Sequence, residues 1–143
     1  MKKIIFSLIT ALGCITDEYF TFQYVCDYPE HGPEFYGFPF VQETSTSWIF
    51  SLSGEIYLIG FFGNLVLCTL LIFILVLCLS KIKGKLAQKI ILVFGWLIIA
   101  WSILVSFVYF GAIDWRLNYT HDDFKINYYQ SHIVCEREFL WIK

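Results

Sequence analysis

Two uninterrupted apolar runs dominate the hydropathy pattern of this chain. Residues 56–80, IYLIGFFGNLVLCTLLIFILVLCLS, hold 25 positions without a charge, and residues 90–113, IILVFGWLIIAWSILVSFVYFGAI, hold 24. A membrane-spanning helix needs about 20 apolar residues, so each run is long enough to cross with some tilt. Helices packed in a soluble bundle keep a polar stripe toward water, and neither run has one. Between them lies KIKGKLAQK, residues 81–89, with four lysines and no acid. A connection this short predicts an antiparallel transmembrane helix hairpin, 56–80 and 90–113, with Gly84 easing the turn.

Outside these runs the pattern shifts to a period of two. In YFTFQYVCDY (19–28), Phe20, Phe22, Tyr24, Cys26 and Tyr28 share one face, and Thr21, Gln23, Val25 and Asp27 the other. That alternation of aromatic and β-branched residues predicts a strand. PEHGPEF (29–35), with two prolines and a glycine, reads as a loop. FVQETSTSW (40–48) and FKINYYQSHIV (124–134) read as two further extended segments. Three short strands can form a small membrane-proximal sheet if something staples it. The predicted fold is therefore membrane α+β: a helix hairpin carrying a small extracytoplasmic β-rich domain built from residues 15–55 and 114–143.

Composition agrees with the pattern. The chain has 143 residues, 58% hydrophobic and 15% charged, where a soluble domain carries roughly 25% charge. The net charge of −2 hides a separation. Lys2, Lys3, Lys81, Lys83, Lys85 and Lys89 flank the apolar runs on one side, with no acid among them. Segments 14–55 and 114–143 hold all 12 acids and four bases, Arg116, Lys125, Arg137 and Lys143. Short loops rich in lysine stay in the cytoplasm. Loop 81–89 is thus expected inside, its lysines against anionic lipid headgroups, and both long segments outside. Six inner lysines suit lipid better than nucleic acid.

The first fourteen residues, MKKIIFSLITALGC, combine two lysines, a short apolar run and small residues before Cys14. They read as a secretory signal. Three outcomes stay open: cleavage after a small–x–small pattern, lipidation of Cys14 as in a bacterial lipobox, or an uncleaved anchor. Cys26 and Cys135 both fall in the outer segments, where disulfides persist, and are expected to pair. Cys68 and Cys78 lie in an apolar run and read as small apolar fillers.

Candidate chemistry is sparse. HDD (121–123), His132 and Cys135 could supply metal ligands, but on a strand His132 and Cys135 point to opposite faces. There is no CxxC, HExxH or glycine-rich phosphate loop, so no metal or cofactor is expected. Asn118-Tyr119-Thr120 matches a glycosylation sequon by chance. Neither apolar run carries the ionisable residue that transporters use as a working group. Asn64 is the strong polar side chain in the first run. Counting from the outer ends, it falls level with Ser106, and Ser102 lies one turn deeper. An interhelical contact among Asn64, Ser102 and Ser106 is expected, with Gly60 and Gly63 allowing close approach.

YGFPF (36–40) is the most distinctive short string. Phe38 and Phe40 around Pro39 could dock lipid or a partner, or form a turn whose aromatics pack under the sheet or lie at headgroup level. A Gly-Phe-Pro segment ahead of a lysine-looped hairpin resembles small uncharacterised bacterial two-helix membrane proteins over residues 36–113. The resemblance brings no activity with it. The expected location is the bacterial cytoplasmic (inner) membrane, multi-pass, with membrane lipids and other membrane proteins as partners. The expected function is a non-enzymatic accessory or assembly subunit of a cell-envelope complex. The alternatives are an oligomeric channel or transporter component, and a thiol- or metal-dependent envelope enzyme.

Overall fold

The computed structural model describes residues 2–17, 21–26, 34–45, 53–120 and 135–140. Along the chain these form α1 (Lys2–Ile15), β1 (Thr21–Cys26), β2 (Glu34–Tyr36), β3 (Glu43–Ser45), β4 (Ser53–Tyr57), α2 (Leu58–Leu79), α3 (Lys85–Ala112), β5 (Asp114–Asn118) and β6 (Cys135–Leu140). Two compact units result: Met1–Asp17 with Leu65–Tyr109, and Glu18–Asn64 with Phe110–Lys143. The boundary thus falls within α2 and within α3.

The expected hairpin is present, with shifted ends. α2 begins at Leu58 because Ile56 and Tyr57 belong to β4, and α3 begins at Lys85, inside the lysine segment. Leu86-Ala87-Gln88-Lys89 are good helix formers, and Gln88 N–H already bonds Gly84 C=O at 2.9 Å. The turn shrinks accordingly to Ser80–Gly84, closed by Lys81 N–H to Cys78 C=O and Ile82 N–H to Leu79 C=O, both 3.2 Å. α2 and α3 are each long and apolar enough to cross a membrane.

The helical unit is built inside out. On α1 the buried residues are Ser7, Thr10, Ala11 and Gly13, whereas Ile4, Ile5 and Leu8 are exposed. On α3, Ser102 and Ser106 are buried, with Phe94, Trp96, Trp101 and Phe107 exposed. Only 6% of the most apolar window of α2, and 11% of that of α3, is buried. A helix folded in water shows the reverse distribution. α1 covers the residues that the sequence reads as a secretory signal, cleaved, lipidated or retained as an anchor. It packs through its small face: a Cβ on Gly13 would run into Ser102, and Thr16 Oγ1 shares a 3.2 Å hydrogen bond with Ser106 Oγ. Small residues at such contacts let backbones approach closely, which is how helices associate in lipid.

The other unit centres on a mixed sheet, in the order β5-β4-β3-β2-β1-β6 among the described residues. β1 to β4 form an antiparallel meander, β6 returns antiparallel to β1, and β5 lies parallel to β4. Only β1 of the three expected strands is close to its predicted span. β2 takes Glu34 and Phe35 from the expected loop and adds Tyr36, β3 keeps only Glu43–Ser45 of the second segment, and β4, β5 and β6 were not anticipated. The segment 124–134 lies outside the described residues. Phe35, Tyr36, Thr44, Ile56 and Tyr57 are buried, so β2–β4 carry the core. The rings of Phe35 and Tyr57 sit 6.4 Å apart, and Trp115 lies against Gly54, its register partner, where a Cβ would meet the indole.

Candidate functional site

The densest polar construction in the described chain holds one loop, residues 37–42, against the start of α2. Gly37 has φ +124°, a left-handed conformation that favours glycine, and a Cβ there would meet the Phe40 carbonyl. The Phe38-Pro39 peptide bond is cis. The loop is anchored at both ends: Gly37 N–H bonds Phe22 C=O at 3.2 Å and Gln42 N–H bonds Tyr36 C=O at 2.8 Å. Gln42 C=O in turn accepts from Tyr57 N–H at 2.8 Å.

Asn64, on the second turn of α2, brackets the middle of the loop. Its Oδ1 accepts from Phe40 N–H at 3.0 Å, and its Nδ2 donates to Phe40 C=O at 2.8 Å and to Gln42 Oε1 at 2.9 Å. The side chain is 2% exposed, so these bonds replace the water it would otherwise need. One amide therefore satisfies both polar groups of a residue that belongs to no regular element.

Glycines bring the loop this close. A Cβ on Gly60 would collide with the Val41 carbonyl, and one on Gly63 would come within 2.9 Å of the Phe40 ring. The expected roles of these residues are therefore corrected. Gly60, Gly63 and Asn64 receive the loop, and Asn64 does not bond Ser102 or Ser106. Ser106 pairs with Thr16, and Ser102 lies against Gly13. The need of Asn64 for a partner was legible; its partner could not be, because Phe40 offers backbone groups, which every residue has.

The loop presents aromatic surface. Phe38 is 51% exposed and Phe40 50%, with the Phe38 ring resting 4.5 Å from that of Phe22. Beneath it, Gln42, Glu43 and Thr44 are consecutive buried residues, and Glu43 stands opposite Tyr36 and Ile56 in the sheet register.

The remaining candidates fall elsewhere. Cys26 and Cys135 are Cα partners across β1 and β6, while their side chains lie outside the described residues. Cys14, Cys68 and Cys78 are free thiols, and a hydrogen bond joins Cys14 to Cys68, a contact between α1 and α2 that the sequence reading missed. Lys81, Lys83, Lys85 and Lys89 are all exposed. Residues 121–123 and His132 lie outside the described residues, among which no group of three or more metal-ligating side chains gathers. Asn118 of the sequon donates its side-chain amide to Glu55 Oε2 at 2.7 Å. No family model, curated protein or solved structure matches this chain.

Proposed function

We propose that this protein is a non-enzymatic, multi-pass integral membrane protein of the bacterial cytoplasmic membrane, acting as an accessory or assembly subunit of an envelope complex. Membrane insertion is supported by the inside-out helices, whose Leu, Ile, Phe and Trp side chains are exposed while Ser, Thr, Asn and Gly are buried. In this reading Lys81, Lys83, Lys85 and Lys89 meet anionic headgroups on the inner side. The sheet unit lies outside, stapled by a Cys26–Cys135 disulfide. α1 stays with the protein as a third packed helix, and Cys14 is left unmodified.

The observation that carries the subunit role is the edge strand β5. Among the described residues it has a strand neighbour on one side only, β4. Leu117 is 65% exposed and Tyr119, just past its end, 70% exposed. An edge strand with uncovered apolar side chains is a template for another chain. The test is affinity purification in mild detergent with identification of co-purifying proteins. A stable larger assembly that disperses in a Leu117→Lys, Tyr119→Lys double variant is expected. A lone homo-oligomer, unchanged by the double variant, would discard the accessory role in favour of an oligomeric channel.

A further inference from the structure

The 37–42 loop has properties that a solvent-facing turn does not need. At Phe40 and at Gln42 both backbone polar groups have protein partners, as does Gly37 N–H, and Pro39 has no N–H to satisfy. In water such groups can be left to solvent; in hydrocarbon each unsatisfied one costs several kcal/mol, so irregular backbone at membrane depth must be bonded internally. The two large side chains, meanwhile, are turned outward and half exposed. Phe40, with both backbone groups tied inward and half of its side chain exposed, suits an apolar surrounding.

The depth of the loop fits. α2 has 22 residues, about 33 Å at 1.5 Å per residue, close to the ~30 Å hydrocarbon core. Asn64 is the seventh residue of that helix, about 9 Å from its start. Because Asn64 binds the Phe40 backbone and Gly63 receives the Phe40 ring, the loop sits alongside the second turn. On the same helix Phe62 and Val66 are exposed apolar residues within about 3 Å of that depth. With α2 spanning over its full length, Phe40 lies about 9 Å below the outer end of that helix.

We infer that the Gly37–Gln42 loop is a lipid-inserting wedge: Phe38 and Phe40 seat among the acyl chains just below the headgroups of the outer leaflet. The occupant of this surface is phospholipid, recognised through its apolar chains rather than its charge. The consequence is that the sheet unit is held at the bilayer surface by an aromatic anchor in addition to its covalent links. The inference rests on the membrane-span reading of α2, and the test separates the two.

The photoreactive residue p-benzoylphenylalanine would replace Phe38, Leu71 or Tyr119, one at a time, in full-length protein reconstituted into vesicles of phosphatidylcholine and phosphatidylglycerol. Leu71 is exposed near the middle of α2 and reports the span itself; Tyr119 is exposed beside the sheet. After irradiation, intact-mass spectrometry counts lipid adducts. Positions 38 and 71 should both yield phospholipid adducts, several-fold above position 119. A position 38 yield as low as that of 119, with position 71 still high, would overturn the wedge and leave the span standing. Cross-linked dimers from position 38 would overturn it in favour of a second copy of the chain. A low yield at position 71 removes the span and the wedge together. The same replacement at Phe40 gives an independent reading should the Phe38 variant lose its contact with Phe22.

Discussion

Replacing Asn64 with alanine should be among the most damaging single changes in this protein. The substitution removes three hydrogen bonds and leaves Phe40 N–H, Phe40 C=O and Gln42 Oε1 without their partner. A buried polar group deprived of its partner costs about 1–3 kcal/mol. Counting only the two backbone groups, the loss is about 2–6 kcal/mol, a large share of a typical folding stability of about 5–15 kcal/mol. Gln42 can rotate its side chain and recover part of its own loss, so it is left out. The magnitude discriminates between two roles for this residue: a hydrogen bond between membrane helices averages only about 0.6 kcal/mol. Asn64→Asp is the informative companion. It keeps an acceptor for Phe40 N–H but has no amide to donate to Phe40 C=O and Gln42, so it should recover little. Chemical denaturation in detergent micelles measures the stability, and hydrogen exchange at the Phe40 amide measures the local effect. A loss of about 0.6 kcal/mol or less, with Phe40 exchange unchanged, would refute the bracket.

Gly60→Ala should also destabilise, by about 1–3 kcal/mol, because the added methyl meets a backbone carbonyl that cannot rotate away; an alanine variant with wild-type stability would contradict the close approach. Gly13→Leu should cost a similar amount by pushing α1 off Ser102, read as a lower thermal midpoint of the purified protein, whereas a chain whose first residues are removed would be indifferent to it. Cys26 and Cys135 should be recovered as a linked peptide in non-reducing mapping, and Cys26→Ser should lower stability by no more than about 4.7 kcal/mol, the chain-entropy figure for a loop near 100 residues; two alkylatable thiols would discard the bond. In a variant lacking the free thiols Cys14, Cys68 and Cys78, an impermeant maleimide applied to intact cells should label Tyr119→Cys and spare Lys85→Cys, and the opposite pattern would invert the topology.

The hairpin was legible because apolar run length and lysine placement are one-dimensional signals: 25 and 24 uncharged residues about a lysine cluster leave few alternatives. Its boundaries were not. Ile56 and Tyr57 are as apolar as the helix that follows, and only their pairing with β3 and β5 makes them strand. The three-residue strands β2 and β3 escape a period-two search, since so few positions cannot establish a period. β1, with six, could be read. α1 was legible as apolar but not as packed. Its Ser7, Thr10, Ala11 and Gly13 suit a signal sequence and a close helix contact equally, and the contact itself is made by Ser102 and by Ser106, the latter 90 residues from Thr16. Asn64 shows the limit most plainly. A buried amide announces that it needs partners, but not which backbone will supply them.

The placement of β5 beside β4, and of β6 beside β1, bears on how the protein is made. β1 to β4 are contiguous in sequence and can zip together as soon as they emerge. β5 cannot join, because parallel strands need a crossover and here the crossover is the whole of α2 and α3. The fifth strand therefore becomes available only after both helices have been made. β6 waits longer still, since residues 135–140 must find 21–26 across almost the full length of the chain, and such distant contacts form slowly. During that interval the outer edges of β1 and β4 stand open. A ribosome stalled before residue 114 would leave a four-stranded half-sheet with both of those edges uncovered. That species, rather than the finished protein, is the one most exposed to mispairing and to proteolysis.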